Sequence, residues 1–273
     1  MLRLIFLNLI LLSYLPLFGQ LPEAPVSGSG SAMGNTWISL RSNEASLLNP
    51  AALGYSRLYW VGVHHENRFL LKELGESSIG VTIPVTPGSF GISLSHFGYN
   101  AFSRIKAGVG YGMHLGKRFV AGVGLSFTRL QIIGEYRNDN AYLIEGGIHY
   151  LPTDKLVVGF YLFNPTHSKF DNLADIPVLM GVGLTYLISD RIQLVSQLDD
   201  DTQREPAFRF GMEYFTSKGI AFRIGYSTVS PEGITVGVGL PVKTFHVDFG
   251  LSHNQYLGFT PKLSISYLFT KKS

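Results

Sequence analysis

The chain has no cysteine, which excludes a disulfide framework and a thiolate metal site. Charge is also scarce: Asp, Glu, Lys and Arg make up 15% of the 273 residues. The formal net charge of +3 is too small and too dispersed to argue for nucleic acid as a partner. After the first segment no run of about eighteen apolar residues occurs, so no spanning helix is expected there. Yet 45% of the residues are hydrophobic and 31 are glycine, an unusual balance for a soluble enzyme. Apolar surface without spanning helices leaves a closed barrel as the main membrane option, because every backbone amide must be paired inside lipid.

What the chain does have is alternation. Between about residues 206 and 269 five stretches read in twos: Phe208, Phe210, Met212 and Tyr214; then Ile220, Phe222, Ile224 and Tyr226. Ile234, Val236, Val238 and Leu240 follow, then Phe245, Val247, Phe249 and Leu251, then Leu263, Ile265, Tyr267 and Phe269. The residues between them are mostly Gly, Ser and Thr with a few charges. Such strands have one greasy and one small or polar face, which suits a cylinder with lipid outside.

The same pattern extends back through the chain. Strands are expected over 56–66, 77–85, 89–97, 103–115, 118–133, 141–151, 155–163, 177–188, 192–199, 207–215, 220–227, 233–240, 244–252 and 261–269. That predicts one all-β domain, a transmembrane antiparallel β-barrel of about fourteen strands, an even number as bacterial barrels prefer. Tight connections such as Thr86-Pro87-Gly88 and Gly116-Lys117 alternate without a slip with longer ones such as 67–76 and 164–176. Short periplasmic turns and long external loops are the habit of outer-membrane barrels.

Residues 1–19 read as a signal peptide, with Arg3 before the short apolar core Leu4 to Leu15 and Gly19 before the cut. Cleavage would deliver the chain to the outer membrane of a Gram-negative bacterium. Residues 20–55 are expected to form a Pro-, Gly- and Ser-rich linker followed by a plug segment centred on Asn49, Pro50 and Ala51, with residues 56–273 forming the barrel. Ser42 or Asn43 is placed to cap a short helix ending before Pro50.

Alternation also assigns the charges. Lys106, Glu145, Arg209, Glu213, Arg223 and Asp248, with His114, His149 and His246, fall on the small-residue face and should point into the lumen. There they form either a polar pathway or a paired network filling the interior, the second being favoured. Tyr59, Trp60, Tyr142, Tyr186 and Phe269 are among the aromatics expected toward strand ends or on the lipid face, where girdles sit. Catalytic and metal sites are not expected. Ser95, His96 and His253 lie near outer loops without a third partner, and the adjacent His64 and His65 face opposite ways. Asp199, Asp200 and Asp201 read as a solvated acidic loop rather than a cation site, and no cofactor is implied.

Asn49-Pro50-Ala51 leading into the first strand resembles the FadL-like outer-membrane barrels. Within that group, Ala207 to Tyr214, Ile220 to Tyr226, Thr235 to Leu240, Asp248-Phe249 and Leu257 to Pro261 look most like the PorV and PorQ proteins of Bacteroidetes. The resemblance implies a fourteen-stranded barrel with an N-terminal plug and no catalytic activity, working in outer-membrane lipid. It further implies an accessory or docking role in type IX secretion, with a translocon or cargo protein as partner. The alternative it carries is a FadL-like channel for long-chain fatty acids or other small hydrophobic compounds.

Overall fold

The computed structural model describes residues 28–44, 47–133, 137–170, 175–228 and 233–269. The expected signal peptide and the first part of the linker lie outside the described residues, as does the basic tail at 270–273. Fourteen strands among the described residues form a closed antiparallel barrel. They are β1 (Tyr59–Asn67), β2 (Gly75–Pro84), β3 (Gly88–Tyr99), β4 (Phe102–His114), β5 (Phe119–Ile132), β6 (Arg137–Thr153) and β7 (Leu156–Phe163). The series continues with β8 (Leu179–Ser189), β9 (Ile192–Asp201), β10 (Ala207–Phe215), β11 (Ala221–Ser227), β12 (Ile234–Val242), β13 (Phe245–Asn254) and β14 (Gly258–Phe269). Each pairs with its neighbours in sequence, and β1 pairs with β14 from Tyr59↔Phe269 to Glu66↔Lys262, so no edge is left open.

The outer wall is apolar. Phe208, Phe210, Met212 and Tyr214 of β10 are exposed while Arg209 and Glu213 between them are buried, and β11 and β14 repeat the pattern. The bulky residues of these strands thus face outward and not toward one another, as a lipid-facing wall requires.

A fourteen-strand cylinder is too wide for side chains from a glycine-lined wall to fill. Residues 28–44 and 47–56 occupy this space. From a helical turn at Gly28–Ser31 beside β13 and β14, the segment runs past β12, β11 and β10, then β9 to β6, and ends in a 3-10 turn, Pro50–Tyr55, against β3 to β5. At most of these crossings an inward glycine receives it. A Cβ at Gly225 would overlap the backbone of Met33 and Gly34, one at Gly159 that of Ile38, and one at Gly122 that of Pro50. The glycine count is therefore largely room for a second layer of chain.

The helix expected before Pro50 falls partly on residues 45–46, outside the described residues; Leu47 N donates to Glu44 O at 3.1 Å there. A separate 3-10 turn starts at Pro50, where the N–H that proline lacks would be unpaired anyway. Asn49 caps that turn, its side-chain oxygen accepting from Ala51 N at 3.0 Å. Two expectations are corrected. Trp60 does not join the outer girdle. It shares the inward face with Gly62 and His64, is 2% exposed, and lays its ring into the space left by Gly62.

The second correction concerns the inner face, which is not small and polar throughout. Leu130, Ala141, Leu143, Tyr161, Phe163 and Leu179 of β5 to β8 point inward and pack with Trp37, Ile38 and Leu48 of the luminal segment. Phe170 and Ile176 join them from the β7–β8 connection, which leans into the mouth. Asn164, fully buried, pins that connection by donating to Ile176 O at 2.9 Å and accepting from Ser168 N at 2.8 Å. A second layer of chain inside the lumen is what turns these inward positions into a dry core.

Gly225→Val should expel the luminal segment at its Met33–Gly34 crossing while leaving the strand ladder intact. Heat-modifiable gel mobility should report a folded barrel, and planar-bilayer conductance should rise above that of the parent. A folded variant with parental conductance would show that the segment does not obstruct the lumen.

Candidate functional site

The lumen is the candidate site, and three groups of wall residues define it. The first holds the segment in place. Gln197 Oε1 on β9 accepts from Trp37 N (2.9 Å) and Ile38 N (3.1 Å), and Thr235 Oγ1 on β12 accepts from Gly34 N (2.8 Å). Thr185 on β8 bonds Ser39 Oγ at 2.8 Å, and Ser89 Oγ on β3 donates to Ser56 O at 3.0 Å. Asn49, beside inward Gly147, donates through Nδ2 to Ile38 O at 2.7 Å. His149 Nε2 lies 2.7 Å from the same carbonyl, and its Nδ1 lies 3.1 Å from Tyr55 OH. The network thus assigns the Nε2–H tautomer, with Nδ1 accepting from the phenol. Pro50 and Ala51 lie buried beside Asn49, so all three residues of the expected plug motif are inside the barrel.

Charge pairs make up the second group. Arg209 donates to Asp199 at 2.9 Å and reaches Gly34 O at 3.4 Å, linking β9 and β10 to the segment. Toward the end with the short connections Arg223 is paired with both Glu213 and Asp248, and Gln193 Nε2 donates to Glu213 at 2.8 Å. Four of the expected lumen charges, Arg209, Glu213, Arg223 and Asp248, therefore sit in buried ion pairs. Glu145 is inward but is held by Tyr161 OH and Ser126 Oγ rather than by a cation. His246 shares the inward face with Asp248 but is exposed at the rim with the short connections.

The third group lies in the half of the barrel with the longer connections. Glu66 is paired with Lys262 at 3.1 Å and with Arg68, while Glu76 is paired with Arg68 at 3.4 Å and Arg104 at 3.9 Å. Lys106 stands apart from this cluster. Its Nζ lies 4.9 Å from the Phe163 ring centroid, and no carboxylate lies within ion-pair distance of it among the described residues. A narrow pocket joins Arg104, Lys106 and Thr128 to Leu143, Phe163 and Phe170. Thr128 Oγ1 is buried and has no hydrogen-bond partner among the described residues. The arrangement is amphipathic, with the Lys106 ammonium at the edge of the dry cluster.

Several of these residues were not singled out from sequence. Arg104 and Lys262 fall on the inward parity of Lys106 and Ser264, and Glu66 on that of His64, so strict alternation carried to the strand ends would have found them. Asp199 was read with its acidic neighbours, yet its parity with Gln197 places it inward on Arg209 while Asp200 faces out. Glu44 had no such signal, since it lies in the irregular segment.

Two tests follow from the pairing. Arg223→Leu leaves Glu213 and Asp248 buried without their cation and should destabilise the barrel by about 3–5 kcal/mol in urea titration, whereas a surface charge removed from a loop should cost under about 1 kcal/mol. Glu44, fully buried in the luminal segment, accepts from Ser29 N (3.0 Å) and Ser29 Oγ (2.9 Å). Burial alone would raise its pKa, but neighbouring His64, the Ser29 bonds and Arg223 outweigh burial and lower it. A lowered folded-state value means Glu44 stabilises the seated segment above the ordinary carboxylate range, and the contribution is lost as pH falls through the lowered value. Amide exchange in residues 28–44 should therefore accelerate in strong acid, and Glu44→Gln should remove most of that pH dependence.

No protein-family model matches the sequence, and no curated protein matches it. Solved structures do match, at low identity. A TodX deltaS2S3 mutant monoaromatic hydrocarbon channel superposes with a TM-score of 0.68 at 12% identity, covering 90% of this chain and 99% of that one. A Pseudomonas aeruginosa FadL homologue gives 0.65 at 12% identity over 91% and 99%, and the Pseudomonas putida toluene transporter TodX gives 0.64 at 11% over 90% and 97%. The chain has the fold of the FadL-type outer-membrane barrels.

Proposed function

We propose that this protein is a non-catalytic outer-membrane channel for small hydrophobic compounds, with residues 28–56 as its plug. The observation that carries the reading is the dry cluster inside the lumen mouth, bordered by the Lys106 ammonium over the Phe163 ring. Much of the cluster packs the luminal segment, but Phe163, Phe170 and Ile176 also line a narrow pocket with Lys106, and a water-filled pore is disfavoured by such side chains. An amphiphile entering from the extracellular face would lay its apolar part on Phe163, Phe170 and Ile176. A carboxylate, where it has one, would meet the Lys106 ammonium. The names of the superposing structures, hydrocarbon and toluene channels among them, support the same chemistry.

Passage past the mid-height of the lumen then requires the plug to yield. Its anchors are hydrogen bonds to wall side chains rather than strand pairing, so it can shift without opening the ladder. Delivery to the outer membrane after removal of residues 1–19 is part of the proposal. The docking role in type IX secretion rests on the sequence resemblance to PorV and PorQ alone, and the structural likeness favours the channel over it. A stoichiometric secretion-system protein recovered after mild detergent extraction would reverse that order.

Uptake of a labelled long-chain fatty acid and of toluene into cells, with and without the gene, tests the channel directly. Loss of uptake on deletion is expected, and unchanged uptake of both compounds would defeat the reading. Lys106→Ala should weaken binding of the fatty acid to purified protein by about tenfold, the worth of one charge-assisted hydrogen bond. Toluene, having no carboxylate, should bind the variant as it binds the parent.

A further inference from the structure

The lipid-facing wall is interrupted near the extracellular ends of β1 to β5 by polar side chains. His65, Ser77 and His96 point outward and are exposed, on the opposite face from His64, Ser78 and Ser95. They are successive cross-strand partners, His65 opposite Ser77 and Ser77 opposite His96. Along the same row, past Ile105, comes Arg129, also exposed. Each lies close to the extracellular end of its strand: His65 just before Asn67, His96 just before Tyr99, and Arg129 just before Ile132. One step toward the periplasm the outward residues are Val63, Ile79 and Leu94, which line an apolar hollow beneath the two imidazoles.

This is the wrong chemistry for hydrocarbon and the right chemistry for the level where acyl chains end and headgroups begin. His65 Nδ1 lies 2.9 Å from Ser77 Oγ. When the hydroxyl donates in that bond, the imidazole hydrogen sits on Nε2 and is free to donate outward. His96 and Arg129 are exposed, and Arg129 carries a guanidinium with five N–H donors.

We propose that this patch binds the headgroup of a glycolipid of the outer leaflet carrying two phosphates, with an acyl chain lying in the hollow. Charge fixes the sign of the partner: Arg129 is cationic, the imidazoles are donors, and no outward carboxylate faces them from β1 to β5. Spacing fixes the number of anionic groups. Adjacent strands are about 4.8 Å apart, so His65 and His96 lie about 10 Å apart and Arg129 about 10 Å beyond. That is too far for one phosphate to reach all three, and it suits two. The inference rests on the outer-membrane placement proposed above but not on transport, since none of these side chains faces the lumen.

Native mass spectrometry of the detergent-purified full chain, offered bisphosphorylated lipid A, its dephosphorylated form and phosphatidylglycerol in turn, tests it. The bisphosphorylated lipid should be retained at least about tenfold more strongly than the other two. The triple variant His65→Leu, His96→Leu, Arg129→Leu should lose that preference while keeping heat-modifiable mobility and hydrophobic-compound binding. Equal retention of the dephosphorylated lipid, equal retention of phosphatidylglycerol, or an undiminished preference in the variant would each overturn the proposal. Should the triple variant not fold, Arg129→Gln alone decides, because loss of one donor must still lower retention of the bisphosphorylated lipid and leave the other two lipids unaffected.

Discussion

The structure depends on a steric bargain struck at the mid-height of the lumen. Fourteen strands enclose more space than a wall of small side chains can fill, and an empty interior of that width has no cohesion of its own. Setting glycine at the inward crossings brings a second stretch of backbone to van der Waals distance from the wall. The two layers then share hydrogen bonds through Gln197, Thr235, Thr185 and Asn49. Removing the side chains is what makes the barrel solid.

The same fit decides which polar groups are tolerated inside. Where the segment covers the wall, charges are paired off: Arg209 with Asp199, and Arg223 with Glu213 and Asp248. Buried pairs of this kind add little net stability but are costly to break singly, so they hold register more than they strengthen it. Toward the other mouth Glu66 and Glu76 are likewise paired, with Lys262, Arg68 and Arg104. Lys106 leans on an aromatic ring there, and the dry cluster around Phe163 and Phe170 begins.

Much of this was written plainly in the sequence. Alternation fixed the strand count, the outward face and the inward placement of Lys106, Arg209, Glu213, Arg223 and Asp248, because a period of two survives any local irregularity. What alternation could not convey is anything about chain without a period. The course of residues 28–56, the cap formed by Asn49 and the burial of Glu44 depend on contacts with residues far along the sequence, such as Thr235, His149 and Arg223. Trp60 and Tyr161 were misjudged or overlooked for a related reason. A large ring is read as lipid-facing until something inside the barrel is known to receive it.

The inner segment also has a mechanical meaning. It touches staves from β2 round to β14, so it works as a hoop set inside a cask rather than a cork in its neck. A bilayer squeezes an embedded cylinder from the side, and a thin wall of glycine would answer by going oval. Braced from within at ten or more places around its girth, as the receiving positions from Gly80 to Ser264 are arranged, the cross-section keeps its roundness. The rows of outward side chains that meet the lipid thereby keep their spacing.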